Sequence, residues 1–137
     1  MECLFCKIIS NQIPSHVIYE DDHALAFLDI FPHAKGHAVV VPKKHYENME
    51  EMPTEQLEKL IGAIQATMLK VKKALEPTGF NIGINDGKSA GQVIPHVHWH
   101  VLPRYNDDKG GTMHSIIKNS GNLSAEQVFE IIKKVED

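Results

Sequence analysis

The stretch His96-Val-His-Trp-His-Val-Leu-Pro103 (HVHWHVLP) sets a histidine at every second position, His96, His98 and His100, with Val97, Trp99 and Val101 between them. Strict alternation over five or more residues is the period of a β-strand, whose side chains point to opposite faces in turn. The pattern predicts a strand with three imidazoles on one face and Val97, Trp99 and Val101 packed in a core on the other.

Working outward, "NDGKSAGQ" upstream of the strand reads as a loop and "FNIGIN" as a further strand. Before these, Leu57, Ile61, Ile64, Met68, Val71 and Leu75 step by three and four along residues 54–75, one apolar helical stripe ended by Pro77 and Gly79. "VIYED", "HALAFLDI" and "HAVVVPKKH" read as strands separated by Asp21-Asp22 and the turn-like "FPHAKG", and residues 4–10 as a short helix. After Arg104 the chain turns polar and Gly-rich, then closes with a helix from Ser124 whose "SAEQ" resembles a capping box. Strands on both sides of one long helix predict an α+β fold with a mostly antiparallel sheet. Residues 1–137 read as a single domain, a core over about 3–104 with a helical extension over about 105–137.

Composition narrows the partners. The 137-residue chain has a net charge of −4 and no run of Lys or Arg, so nucleic acid is excluded as a partner while a small phosphate ligand is not. The opening "MECLFCKIIS" has neither a basic n-region nor a long apolar segment, which reads as no signal peptide and no membrane partner. Two cysteines are too few for a disulfide scaffold. A cytoplasmic location is expected.

Three uses of the histidine row compete. One metal held by all three is disfavoured, because the outer two lie roughly 13 Å apart at Cα on a strand, and reaching one ion from both ends with ligand bonds of about 2.0–2.1 Å would crowd out the middle ring. A merely solvated face would more usually carry Thr, Lys or Glu. A row of imidazole nitrogens suits the oxygens and phosphorus of a phosphate group. The preceding loop agrees, since Gly87 and Gly91 allow close backbone approach and Asn85, Ser89 and Gln92 offer polar groups. "GINDGKS" is not a P-loop, because only three residues separate Gly83 from Gly87 and a strand follows where a helix is required. Cys3-Leu-Phe-Cys6 has the C-x2-C spacing of a zinc half-site. A redox role would want a βαβ context that is missing here, and two idle thiols are the plain alternative.

"HVHWHVL" resembles the His-φ-His-φ-His-φ-φ motif of the histidine triad family. The similarity extends through "LFCKIISNQIP", "ALAFLDIFPHAKGHAVVVPKKH" and "NDGKSAGQ", over roughly residues 3–104. It is closest to the bacterial nucleotide-binding branch. The resemblance implies a five-stranded α+β fold, a homodimer paired through the long helix, a purine nucleotide substrate and hydrolysis at the α-phosphorus. Typical substrates are nucleoside phosphoramidates, acyl adenylates and dinucleoside polyphosphates. It makes His98 the nucleophile, with His100, His96 and His37 as the other catalytic histidines. It assigns Asp29 to the ribose hydroxyls, Phe5, Phe27 and Ile30 to the base, and Asn85, Gly91 and Gln92 to phosphate. Ordinary core packing is the rival role for the three apolar residues, and turn capping for Asp29. Relatives with the N-terminal cysteine pair imply a structural Zn2+ on Cys3, Cys6, His45 and His96, ahead of His16, His23 or His33. No metal is expected to be required for the chemistry.

Two departures stand out. Val93 occupies the nucleotide-site position where much of the family has Ser or Thr, so a hydroxyl near the leaving group is missing. The segment after Arg104 lacks the short Trp-containing tail of the eukaryotic branch. In the expected reaction His98 attacks phosphorus, protonated His100 and Gln92 meet the oxygens, and water releases the monophosphate. The alternative is a nucleotide-binding interaction module with little turnover.

Overall fold

The structure is a computed structural model that describes residues 2–137. Its elements run α1 (Leu4–Ile9), β1 (Val17–Glu20), β2 (Ala24–Leu28), β3 (Ala38–Pro42), α2 (Thr54–Leu75), β4 (Gly79–Ile84), β5 (Trp99–Arg104) and α3 (Ala125–Ile132). The strands form one sheet in the order β1-β2-β3-β5-β4, with every neighbouring pair antiparallel. This is the α+β architecture that the patterning predicts.

β2 and β3 are apolar without interruption because both faces of the sheet are covered there. On one face α2 packs against Ala24, Ala26, Ala38, Val40, Val97 and Val101. On the other, α1 sets Phe5 and Ile8 on Leu25, Phe27, Val39 and Val41. α2 ends at Leu75, where Glu76 turns left-handed ahead of Pro77.

Two details differ from the sequence reading. The helix is rotated about its axis relative to the predicted stripe. Leu60, Ala63, Ile64, Thr67 and Val71 face the sheet, whereas Ile61 is 45% exposed. Small residues decide this, since Ala63 and Thr67 let the helix sit close to the alanine-rich sheet. The buried Thr67 hydroxyl donates to the Ala63 carbonyl at 2.8 Å and so costs little. Ala63 is therefore spent within its own chain and not available to a partner helix.

The histidine strand also begins later, at Trp99. The segment before it is extended but held by loop bonds, Val97 N–H donating to Tyr46 O at 2.8 Å. The ladder cannot start sooner, because β4 ends at Ile84, paired with Trp99. Alternation persists through the segment regardless, with Val97 and Val101 fully buried on the α2 side.

At the far end, Ser124 caps α3 in a true capping box. The Ser124 hydroxyl accepts from Gln127 N–H, and the Gln127 side chain accepts from Ser124 N–H. Every residue from Asn106 to Asp137 is nonetheless exposed. No helix among the described residues is long and apolar enough to cross a membrane.

Candidate active site and metal centre

The histidine row spans two neighbouring candidate sites. His96 is completely buried, and its Nε2–H donates to the Pro42 carbonyl at the end of β3, 2.9 Å away. That bond leaves Nδ1 as a bare lone pair. Three more donors converge on it. Cys3 caps α1 by accepting Cys6 N–H, so the short helix turns both thiols toward the same point. His45 arrives from the loop after β3. Nδ1 of His96 lies 3.0 Å from His45 Nδ1, 3.4 Å from Cys3 Sγ and 3.6 Å from Cys6 Sγ, and Cys6 Sγ is 3.4 Å from His45 Nδ1. All four atoms lie within 4.8 Å of one another.

A tetrahedral zinc with bonds of about 2.0–2.1 Å to N and about 2.3 Å to S would set N···N near 3.3 Å and N···S near 3.6 Å. The donor set fits. Burial pushes His96 down to about 4, which keeps it neutral as a metal ligand must be. Burial and the adjacent Cys3 thiol push Cys6 up, and a bound cation is what would offset that and ionise it. The Pro42 carbonyl fixes the His96 ring from behind, the usual outer support of a ligating histidine.

The second site lies beyond Phe5, whose ring meets His98 edge-on at 4.9 Å and His96 at 5.9 Å. His98 donates from Nδ1 to the His96 carbonyl at 2.8 Å, which leaves Nε2 bare. The His98 and His100 rings are 5.3 Å apart. His33 N–H donates to His37 Nδ1 at 3.2 Å, so the His37 proton sits on Nε2 and is donated to His100 Nδ1 at 2.9 Å. The proton of His100 is then on its own Nε2. One backbone N–H thus sets the tautomer of two side chains in sequence.

His100 departs from the expectation that it is protonated. Burial, then the neighbouring His98 and His37, push it down to about 4, and burial lowers His37 as well. Both rings are neutral at pH 7, so His100 offers a neutral Nε2–H to the site.

The remaining candidates divide. Asp29 is in place, with one oxygen 3.7 Å from His37 Nε2 and the other accepting Phe31 N–H at 2.9 Å, so its turn-capping role coexists with a position at the site. Phe5 and Phe27 are buried against each other, and Phe5 supports His98 from inside; neither is an open wall. Ile30 is 72% exposed, and beside it Phe31 is 77% exposed. Phe31 escaped the sequence reading, although a large apolar residue opening a turn was its signal.

Asn85, Gly91 and Val93 lie exposed around the loop, Gly91 at φ 96°. Gln92 is not free to contact phosphate as expected. Its side-chain oxygen accepts Gly87 N–H at 2.8 Å and its amide donates to Glu47 O and Ile94 O, so it braces the loop.

The HIT domain matches residues 10–107. The chain belongs to the HIT family. An uncharacterised HIT-like protein of Methanocaldococcus jannaschii is 47% identical over 131 residues, covering 96% of this chain and 98% of that one. Adenosine 5'-monophosphoramidase of Schizosaccharomyces pombe is 40% identical over 110 residues, 80% of each chain. Among solved structures, a HIT family protein of Bacillus subtilis superposes with a TM-score of 0.84 at 36% identity, covering 98% of this chain and 94% of that chain. A zinc-bound histidine triad protein of Mycobacterium smegmatis gives 0.75 at 41% identity, over 80% and 79%. The HIT match ends at residue 107, where the exposed extension of this chain begins.

Proposed function

We propose that the protein is a nucleotide hydrolase that cleaves purine nucleoside phosphoramidates, acyl adenylates or dinucleoside polyphosphates at the α-phosphorus. The observation that carries this reading is the bare Nε2 of His98, with its Nδ1–H held by the His96 carbonyl. An imidazole whose Nδ1–H is so fixed presents its Nε2 lone pair as a nucleophile. Nε2 bonds to phosphorus, the bond from phosphorus to the leaving group breaks, and its electron pair departs with that group. A carboxylate leaves as it is, and an amine takes a proton from solvent. Water then attacks phosphorus and returns His98, releasing the nucleoside monophosphate. His100 Nε2–H and the loop N–H groups meet the phosphoryl oxygens, Asp29 receives the ribose, and Ile30 with Phe31 offers apolar surface to the base.

Cys3, Cys6, His45 and His96 would hold a zinc ion that ties the N-terminal helix to the start of the histidine row. Reduced thiols at this corner suit a cytoplasmic setting. A homodimer would form on the outward face of α2 around Ile61 and Leu69, together with the edge strand β4. Sedimentation at micromolar concentration giving only a 15.4 kDa species would exclude it.

The rival reading, a nucleotide-binding module with little turnover, is favoured by the committed Gln92 amide and the absent hydroxyl at Val93. Incubation with adenosine phosphoramidate separates the two. The hydrolase releases AMP, whereas a module binds without turnover.

A further inference from the structure

Asp29, His37 and His100 each bring a donor atom to one place, all within 4.8 Å of one another. His37 Nε2 lies 2.9 Å from His100 Nδ1 and 3.7 Å from Asp29 Oδ2. The sheet sets this meeting. Asp29 N–H donates to the His37 carbonyl at 3.0 Å, one rung beyond the Leu28–Ala38 pair, so the two side chains share a face. His100 pairs with Val39 on the next strand, which puts its ring diagonally beside His37 on that same face. Asp29 is oriented from behind, because its other oxygen accepts Phe31 N–H. His37 is buried, and Asp29 and His100 are half-buried.

We propose that Asp29, His37 and His100 form a second metal site, which takes a divalent transition-metal ion such as Zn2+ and excludes a ribonucleotide while it is filled. Bonds of about 2.0–2.2 Å to nitrogen and oxygen set ligand separations of about 3.3 Å in a tetrahedron. The observed 2.9 and 3.7 Å bracket that value. Two imidazoles with one carboxylate suit zinc and its neighbours, whereas Mg2+ and Ca2+ prefer oxygen throughout. Three protein ligands leave a fourth position open to water.

The protons decide how tightly the ion is held. Burial keeps both imidazoles neutral, the form that ligates. His100 Nδ1 already presents a lone pair. His37 Nε2 carries a proton, which the ion displaces to Nδ1 of the same ring, and His33 N–H then gives up that acceptor. This rearrangement makes the site weaker than the thiolate corner, so it fills only when metal is added. The effect on the nucleotide rests on the hydrolase reading, in which Asp29 receives the ribose. An ion on Asp29 Oδ2 takes the oxygen that the ribose hydroxyls need, since Phe31 N–H holds the other. Ion and ribonucleotide therefore lower each other's affinity by the same factor. His100 Nε2–H is untouched, so the loss falls on ribose and not on phosphate.

The full chain, carrying the zinc it is purified with, is dialysed against micromolar Co2+. Metal analysis should give about one cobalt per chain in addition to that zinc, with no thiolate charge-transfer band in the cobalt spectrum. Asp29→Asn keeps an acceptor for Phe31 N–H and should lose the cobalt while retaining the zinc, the sign of an intact fold. His37→Asn should do the same. By calorimetry, Co2+ should weaken AMP binding by about tenfold or more. Binding of 2',3'-dideoxy-AMP, which has the same phosphate and no ribose hydroxyls, should hold. Absence of the second metal, cobalt that both variants retain, AMP affinity that cobalt leaves unchanged, or an equal loss for both nucleotides overturns the proposal. Failure to bind AMP without cobalt overturns the hydrolase reading instead, and the cobalt count alone then decides the metal site.

Discussion

His96 and His98 stand two residues apart on one extended segment, yet they present opposite nitrogens. His96 gives its Nε2–H to the Pro42 carbonyl and turns Nδ1 to two thiols and His45, whereas His98 gives its Nδ1–H to the His96 carbonyl and leaves Nε2 free. The residue type is the same and the alternation is the same. A backbone carbonyl chooses which lone pair is offered, and that choice separates the proposed metal corner from the proposed phosphate corner. Phe5 is the partition between them, in contact with both rings.

The sharpest way to break this division is to remove one ring from each side. His98→Asn should lower turnover of adenosine phosphoramidate by about a thousandfold or more, keep nucleotide affinity within about tenfold and leave the metal content alone. Residual hydrolysis at a tenth of the wild-type rate would end the assignment of His98 as nucleophile.

The metal side should fail differently. The protein purified without added metal should carry about one zinc per chain. Cys3→Ser with Cys6→Ser should remove it and cost about 3 kcal/mol or more, roughly 10 °C in Tm, by calorimetry. Full stability with no metal in the untreated protein would dissolve the contrast between the two corners.

A smaller effect concerns protons. His100 is pushed down to about 4 by burial, below its ordinary 6.5. Between those values the unfolded chain binds a proton that the folded chain does not. The stability contributed here is therefore complete above about pH 6.5 and falls as pH drops toward about 4. Thermal unfolding with chelator present throughout, so that metal loss does not contribute, should show this slope. His100→Asn should reduce it, the remainder coming from the buried His96 and His37.

The smallest change is Val93→Ser, which adds a hydroxyl at an 88% exposed position. Stability should stay within about 0.5 kcal/mol. Turnover of amine-leaving substrates should rise by a few-fold, the worth of about one hydrogen bond. An unchanged rate would place residue 93 away from the reacting group.

Much of this was legible in the sequence because it is local. α2 was readable to its last residue, since its apolar stripe runs over 54–75 and Pro77 with Gly79 ends it. The alternation of His96 to Val101 sorted chemistry from core even though the regular ladder starts only at Trp99. What escaped depends on long-range geometry. Ile61 has the right spacing for a buried stripe, but the alanines of the sheet drew Ala63 and Thr67 inward instead. Gln92 looks like a phosphate ligand until Glu47, 45 residues away, is seen to hold its amide. The neutrality of His100 follows from burial and from His37, 63 positions upstream, which no spacing rule connects. The tautomer of His37 depends on the N–H of His33, a residue singled out in the sequence only as a lesser metal candidate.

The exposure of everything beyond Asn106 carries a consequence for amide exchange. Central amides such as those between β3 and β5 should surrender their hydrogens only when the whole molecule opens. Those of α3 rest on eight residues and one capping box, with Phe129, Ile131 and Ile132 facing solvent. So short a helix is marginal alone in water, so in an isolated chain its amides should exchange as fast as a frayed peptide. Slow exchange there would mean that something outside this chain's own fold covers that apolar face.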